Sequence, residues 1–186
     1  MTDITVETLR ELLDHDPATG ELTWKVRDPK WFKGRRYTAQ DQANAWNAKK
    51  AGKPALTAVN NKGYKTGGIF RKPYKAHRVI WAMATGAWPE SQIDHINGIR
   101  DDNRIENLRD VTNQENSRNR KLRNDNTSGH IGVSWDKQEN KWRAFIHVNG
   151  KKKHLGFFID KADAIAARKA AEIEHGFHSN HGRAAA

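Results

Sequence analysis

The chain runs to 186 residues, has no cysteine, and sets 33 Lys and Arg against 22 Asp and Glu for a formal net charge of +11. Without cysteine there are no disulfides, no thiolate zinc sites and no cysteine nucleophile, and a reducing compartment fits. The cationic excess is the electrostatic footprint of a protein that meets phosphate backbones, though ribosomal proteins, heparin binders and well-solvated domains share it.

The length allows one domain or two small ones. Met1-Thr2-Asp3-Ile4 shows neither the basic nor the apolar segment of a secretory leader, and no run approaches the roughly 18 apolar residues of a spanning helix. A soluble, cytoplasmic protein with no membrane partner is expected.

Val6, Leu9, Leu12 and Leu13 stand at helical spacing behind Thr5, which predicts a short amphipathic helix stopping at Asp16-Pro17-Ala18-Thr19-Gly20. Leu22, Trp24 and Val26 then alternate with polar residues, the period of a half-buried strand that ends by Asp28-Pro29. From Lys30 to Lys50 the sequence is basic and polar without clean periodicity. Its Trp31, Phe32, Tyr37 and Trp46 either stack on bases or pack under a structured loop, and the loop is the simpler expectation. Lys53 to Phe70 is rich in turn residues, and Asn60-Asn61-Lys62-Gly63 marks a small hairpin. His77 to Thr85 reads as a helix with Val79, Ile80, Trp81 and Met83 on its apolar side and Gly86 as its stop. His77, opening it, is expected as a cap or a packed structural residue.

The stretch from Gln92 to Arg120 reads as a short strand, a loop, a second strand and a helix. Asp94 is a hard anionic oxygen donor and Asn116 a neutral one, a pair that favours Mg²⁺ or Mn²⁺ over zinc and leaves positions for waters and a substrate phosphate. His95, with an ordinary pKa near 6.5, can take a proton from water at neutral pH. Asn107 is placed to return across the hairpin and accept a hydrogen bond from a ring nitrogen of His95. Thr112-Asn113-Gln114-Glu115 is a capping box with Thr at the N-cap and Glu at N3, so Asn116 falls at N4 of the helix. Asp94 and His95 are neighbours, and neighbours on a regular strand face opposite ways. Either the strand end is irregular, or metal and phosphate straddle it. Taken singly, each of these residues is explained as well by turn chemistry around Asn97-Gly98 and Asp101-Asp102-Asn103.

Taken together, Asp94-His95-Ile96-Asn97-Gly98, Asn107-Leu108-Arg109, Val111-Thr112 and Glu115-Asn116 resemble the HNH endonuclease family, in the subgroup that includes phage homing nucleases. Leu22-Thr23-Trp24 and Ala76-His77-Arg78-Val79-Ile80-Trp81 are similar to the leader of phage relatives. The resemblance implies a ββα-metal fold with one divalent ion on Asp94 and Asn116, His95 as general base, Asn107 orienting it, and 5′-phosphate and 3′-hydroxyl products. Asn116 stands where many relatives carry His.

Arg118, Arg120, Lys121 and Arg123 follow in a basic linker, where they either track a DNA backbone or complement their own helix end. From His130 three strands are predicted, Ile131 to Trp135, Lys141 to Val148 and Lys152 to Phe158, with Asn149-Gly150 as a hairpin turn. A helix follows from Lys161 to about His175, capped by Asp160. On the middle strand Trp142, Ala144, Ile146 and Val148 share the face expected to meet a helix stripe of Ala162, Ile165, Ala166, Ala170 and Ile173. Lys141, Arg143, Phe145 and His147 share the other. Gly132-Val133-Ser134-Trp135, Lys141-Trp142-Arg143-Ala144 and His154-Leu155-Gly156-Phe157-Phe158 resemble the APETALA/ethylene-response DNA-binding domain. That resemblance implies that Ser134, Arg143, His147 and Lys153, with Trp135 and Lys141 nearby, meet DNA.

The expected class is α+β: a ββα-metal nuclease domain preceded by a small mixed sheet, then a three-stranded antiparallel sheet packed on one helix. The expected boundaries are 1–117 for the nuclease domain with its leader, 118–129 for the linker, 130–178 for the DNA-binding domain and 179–186 for a tail. The function so implied is metal-dependent cleavage of double-stranded DNA by a monomer or weak dimer in a bacterium or phage-infected host. A non-catalytic DNA-binding regulator is the alternative, and RNA binding a third.

Overall fold

The computed structural model describes residues 4–34, 36–112, 115–116, 122, 125–177 and 181–182. The chain divides into two compact units, Met1–Asp110 and Val111–Ala186. The cations proposed for the linker, Arg118, Arg120, Lys121 and Arg123, lie outside the described residues.

In the first unit, α1 (Val6–Leu12) starts where the Thr5 hydroxyl accepts from the Thr8 amide, and it buries Val6, Leu9 and Leu12. It passes directly into β1 (Leu13–Asp16), which pairs antiparallel with β2 (Glu21–Trp24). The sequence reading gives β2 but not β1, because Leu13 had been absorbed into the helical stripe. Val26 lies beyond β2 and is exposed.

Residues 30–50, expected as a loop, instead hold a 3-10 turn (Pro29–Trp31) and α2 (Ala39–Lys50). A capping box starts α2: the Thr38 hydroxyl accepts from the Asp41 amide while the Asp41 carboxylate accepts from the Thr38 amide. The helix escapes a periodicity test because only Ala43 is buried and Trp46 half-buried, too thin a stripe to register. β3 (Ala58–Val59), β4 (Lys65–Ile69) and β5 (Lys72–Lys75) form an antiparallel sheet that adds one strand to the predicted hairpin.

α3 (Ala76–Thr85) ends at Gly86, whose φ of 84° is the left-handed conformation that closes a helix. Arg10 of α1 donates from Nε and Nη2 to the Met83 carbonyl, tying α1 to the end of α3. Leu9, Leu12, Leu13, Ile69, Val79 and Ile80 make the fully buried centre of this unit. β6 (Gln92–His95) and β7 (Leu108–Val111) form a two-stranded sheet, with a 3-10 turn (Ile105–Asn107) in the loop between them.

In the second unit, β8 (Val133–Asp136), β9 (Lys141–Val148) and β10 (Lys151–Phe158) form an antiparallel sheet with β9 at its centre, followed by α4 (Lys161–Glu174). Asn149 and Gly150, with φ of 51° and 75°, make the two-residue turn that their types predict. Ala144 and Ile146 are buried toward α4, as expected, but of the predicted helix stripe only Ile165 packs against this core. Ala164, Arg168 and Ala171 are its buried residues, while Ala162, Ala166, Ala170 and Ile173 are exposed. Alanine is indifferent to burial, so it carried little directional information. Arg168 decides the face, with its Nε donating to the Ile131 carbonyl and ion-paired to Glu172. Asp160 occupies the N-cap position but makes no side-chain capping bond.

Candidate active site

On β6 burial alternates: Ile93 and His95 are buried, Gln92 is exposed and Asp94 lies between. The strand is therefore regular through His95, and of the two readings of the Asp94-His95 pair it supports the one in which the two side chains serve opposite faces.

His95, only 3% exposed, sits against Tyr64 and His77, with ring centroids 5.8 and 5.1 Å away. Its Nε2 lies 3.0 Å from the Asn103 carboxamide oxygen. An acceptor there places the proton of the neutral ring on Nε2 and leaves the lone pair on Nδ1. Burial lowers the His95 pKa, against smaller raising effects from Asn103, Asp94, Asp102 and Asp101. The ring is thus neutral, and basic, at pH 7. Lys75 and Arg100 each place their charge 5.3 Å from the Tyr64 ring, a cationic rim beside the pair of histidines.

His77 is buried at the start of α3, as its packed reading expected, and its Nδ1 has no hydrogen-bond partner. Burial first, then the charges of His95, Lys75 and Arg78, push its pKa down to about 3. A histidine whose folded pKa lies below its unfolded value contributes full stability above pH 6.5 and loses it as the pH falls toward 3. The slope in that window approaches about 1.4 kcal/mol per pH unit. His77→Phe, which keeps a ring in place, is expected to flatten the decline of urea midpoints between pH 7 and pH 4.5. Parallel curves for the two proteins would contradict the assignment.

The loop from Ile96 to Asn107 is fixed by turn chemistry. The Asn97 side-chain oxygen accepts from the Ile99 amide, and its Nδ2 donates to Asp102. Asp102 also receives a fork from Arg104, which holds its carboxyl well below the usual carboxylate range. Asn107 does return across the hairpin, but its carboxamide meets this loop rather than the imidazole. Its oxygen accepts from the Asn97 amide, and its Nδ2 donates to the Asn97 side chain and the Asp102 carbonyl. Asn103, which is 1% exposed, bonds the His95 ring. Asn103 and the distant Tyr64 had no sequence signal, because neither lies at a motif spacing.

Gly20 connects the N-terminal turn to this arrangement. Its φ is 69°, and a Cβ built on it would lie 2.3 Å from the carbonyl carbon of Asn103. Only glycine permits that approach.

Asp94 accepts from Arg109 Nε at 3.1 Å and Nη2 at 2.7 Å, both on Oδ2. Arg109 thus takes one of the two carboxylate oxygens of Asp94. Among the described residues no cluster of three or more His, Asp or Glu is arranged to hold a metal. Asn116 lies in the second unit, in the helical turn started by the predicted capping box. Thr112 accepts from the Glu115 amide through its hydroxyl, and the Glu115 carboxylate accepts from the Thr112 amide and hydroxyl.

The sheet of the second unit presents a cationic and aromatic face. Register sets Ser134 and Phe157 on either side of Arg143, His154 beside Phe145, and Lys152 beside His147. Arg143 pairs with Asp136 at 3.2 Å, and the Lys152 ammonium lies 4.1 Å from the Phe145 ring. Ser134, Lys141, Arg143 and His147 therefore share the face that the sequence assigned to them. Two of the proposed contacts do not. Lys153 lies opposite Ile146 and reaches Glu174 of α4, and Trp135 lies opposite Trp142 with its ring edge-on to it. The cause is strand parity: from the Asn149-Gly150 turn the register runs unbroken, with Lys151 opposite Val148, Lys152 opposite His147 and Lys153 opposite Ile146, ahead of the bulge between His154 and Gly156. Lys152 and His154, not singled out in the sequence, take their place.

A profile for HNH endonuclease matches residues 74–118, the segment from β5 to the capped helical turn. "Protein 3.8" of Escherichia phage T7 is 38% identical over 91 residues, which cover 48% of this chain and 73% of that protein. No solved structure matches significantly. The chain therefore belongs to the same family as phage T7 Protein 3.8 and carries an HNH endonuclease domain at residues 74–118.

Proposed function

We propose that the protein is a metal-dependent DNA endonuclease that hydrolyses phosphodiester bonds, with His95 as general base. The observation that carries the reading is the neutral, Asn103-bonded imidazole inside the HNH segment, on a strand whose preceding residue is the carboxylate Asp94. In this mechanism the lone pair of His95 takes a proton from water as that water attacks the scissile phosphorus in line, and the P–O3′ bond breaks, the 3′ oxygen taking a proton from solvent water to become the 3′ hydroxyl. Asp94 and Asn116 would hold Mg²⁺ or Mn²⁺, which would supply charge neutralisation at the phosphate and the leaving oxygen. Asn107 acts on the base at one remove, by fixing the loop that carries Asn103. With one HNH segment per chain, a monomer nicks, and a double-strand break takes two visits or a dimer.

The test is chemical. Duplex DNA incubated with the protein and Mn²⁺ is expected to yield nicks that DNA ligase reseals directly, the sign of 5′-phosphate and 3′-hydroxyl ends. Absence of any strand break would leave the non-catalytic binder as the reading.

The C-terminal sheet is proposed, in the manner of the APETALA-type domain, to hold the duplex through Lys141, Arg143, His147, Lys152 and His154. A lysine on that face neutralises a phosphate and releases counterions. Lys152→Gln is therefore expected to reduce the salt slope of duplex binding by about 1, and Lys153→Gln by clearly less. Equal effects would place the DNA elsewhere.

A further inference from the structure

A second basic and aromatic site stands in the first unit, lined in part by the segment between Lys30 and Lys50, which the HNH segment does not include. It is a cleft of about 940 Å³ whose lining contains Trp24, Trp31, Phe32, Trp46 and Phe70, together with Arg27, Lys33, Lys50 and Arg71. No carboxylate is among its described lining residues. A volume of that size lies at the upper end of small-ligand pockets.

Arg27 is its unusual member. It is 8% exposed, and its guanidinium carbon lies 3.9 Å from the Trp46 ring, 4.8 Å from Trp24 and 5.3 Å from Phe70. Its main chain is fixed by Asn47, whose carboxamide bonds both the amide and the carbonyl of Arg27. The Nε has no hydrogen-bond partner. Burial pushes the guanidinium down to about 10, so it stays charged at neutral pH. Buried charges ordinarily find an anion, because an unpaired one is costly.

Phe70 adds a second anomaly. Phe70 and Arg71 form the two-residue turn between β4 and β5, with φ of 50° and 64°. Such turns favour Asn-Gly, and a bulky aromatic with positive φ is strained. The strained turn carries the Phe70 ring to 5.3 Å from Trp31, and both rings line the cleft. Asparagine at this position would suit the backbone better and leave no ring, so the phenylalanine points to a use for its side chain.

We infer that this cleft holds an unpaired nucleotide of the DNA substrate, with the base against the Trp31 and Phe70 rings and its phosphate at the Arg27 guanidinium. A paired base offers only its edges, whereas an unpaired one offers the faces on which aromatic rings stack. The cations of a described lining without a carboxylate match the phosphates to either side.

The test uses the full chain in EDTA, so it is independent of any cleavage. Labelled oligo(dT), a duplex, an RNA oligonucleotide and free thymidine monophosphate are titrated while tryptophan emission is followed. Phe70→Asn relieves the turn and removes the ring without changing charge. It should melt at or above the wild-type temperature, bind oligo(dT) about tenfold more weakly, and bind duplex unchanged. Unaltered oligo(dT) affinity in Phe70→Asn would overturn the inference. So would an equal loss for duplex, tighter binding of RNA than of DNA, or mononucleotide binding as tight as that of the strand.

Discussion

Replacing His95 by Ala is expected to lower single-turnover DNA cleavage by roughly 10²–10⁴-fold, the range that one positioned proton acceptor supplies. Duplex affinity should stay at the wild-type value, because the proposed duplex contacts lie on β8, β9 and β10 and the base is proposed to meet only the attacking water of the reactants. His95→Gln keeps a group able to bond Asn103 and should be as inactive, which separates loss of the base from loss of packing around Tyr64 and His77. Because burial lowers the His95 pKa, the acid limb of the wild-type rate profile is expected below pH 6.5. A limb above that value would mean that another group supplies the base.

Gly20→Ala is the second large effect, and it acts at a distance in sequence. An alanine there meets two obstacles: a φ of 69°, and the Asn103 carbonyl carbon at 2.3 Å. The left-handed conformation alone costs about 1 kcal/mol for a residue other than glycine, and moving the opposing backbone adds more, so a loss of about 3 kcal/mol is expected. The shift falls on Asn103 and so on the His95 ring. The variant should lose cleavage activity beyond what its unfolded fraction explains, at a temperature where circular dichroism still reports a folded protein. Full activity in the folded fraction would show that Asn103 does not position the base.

These two residues also show where sequence reading reaches and where it stops. Asp94, His95 and the Thr112–Glu115 capping box lie within one short stretch and declare themselves by type and spacing. Gly86 and the Asn149-Gly150 turn declare themselves by the backbone conformations they permit. Asn103 does not, because its link to His95 depends on how the loop closes, and Gly20 meets it across more than eighty positions of chain. α2 carried a legible capping box at Thr38 and Asp41, but too few apolar residues to be read as a helix. On α4 the alanines masked the true inward face, which Arg168 marks through its bond to Ile131. In β10 the register that starts at the Asn149-Gly150 turn sets Lys152, not Lys153, beside His147.

The central claim, that the HNH segment is a working nuclease built on His95, is tested most directly with supercoiled plasmid. Wild-type protein and His95→Ala are incubated side by side with Mg²⁺, with Mn²⁺ and with EDTA. Nicked circles are expected with the wild type and a divalent ion, none with EDTA, and none with His95→Ala. Nicking by His95→Ala at the wild-type rate, or no nicking by the wild type under any condition, would contradict it.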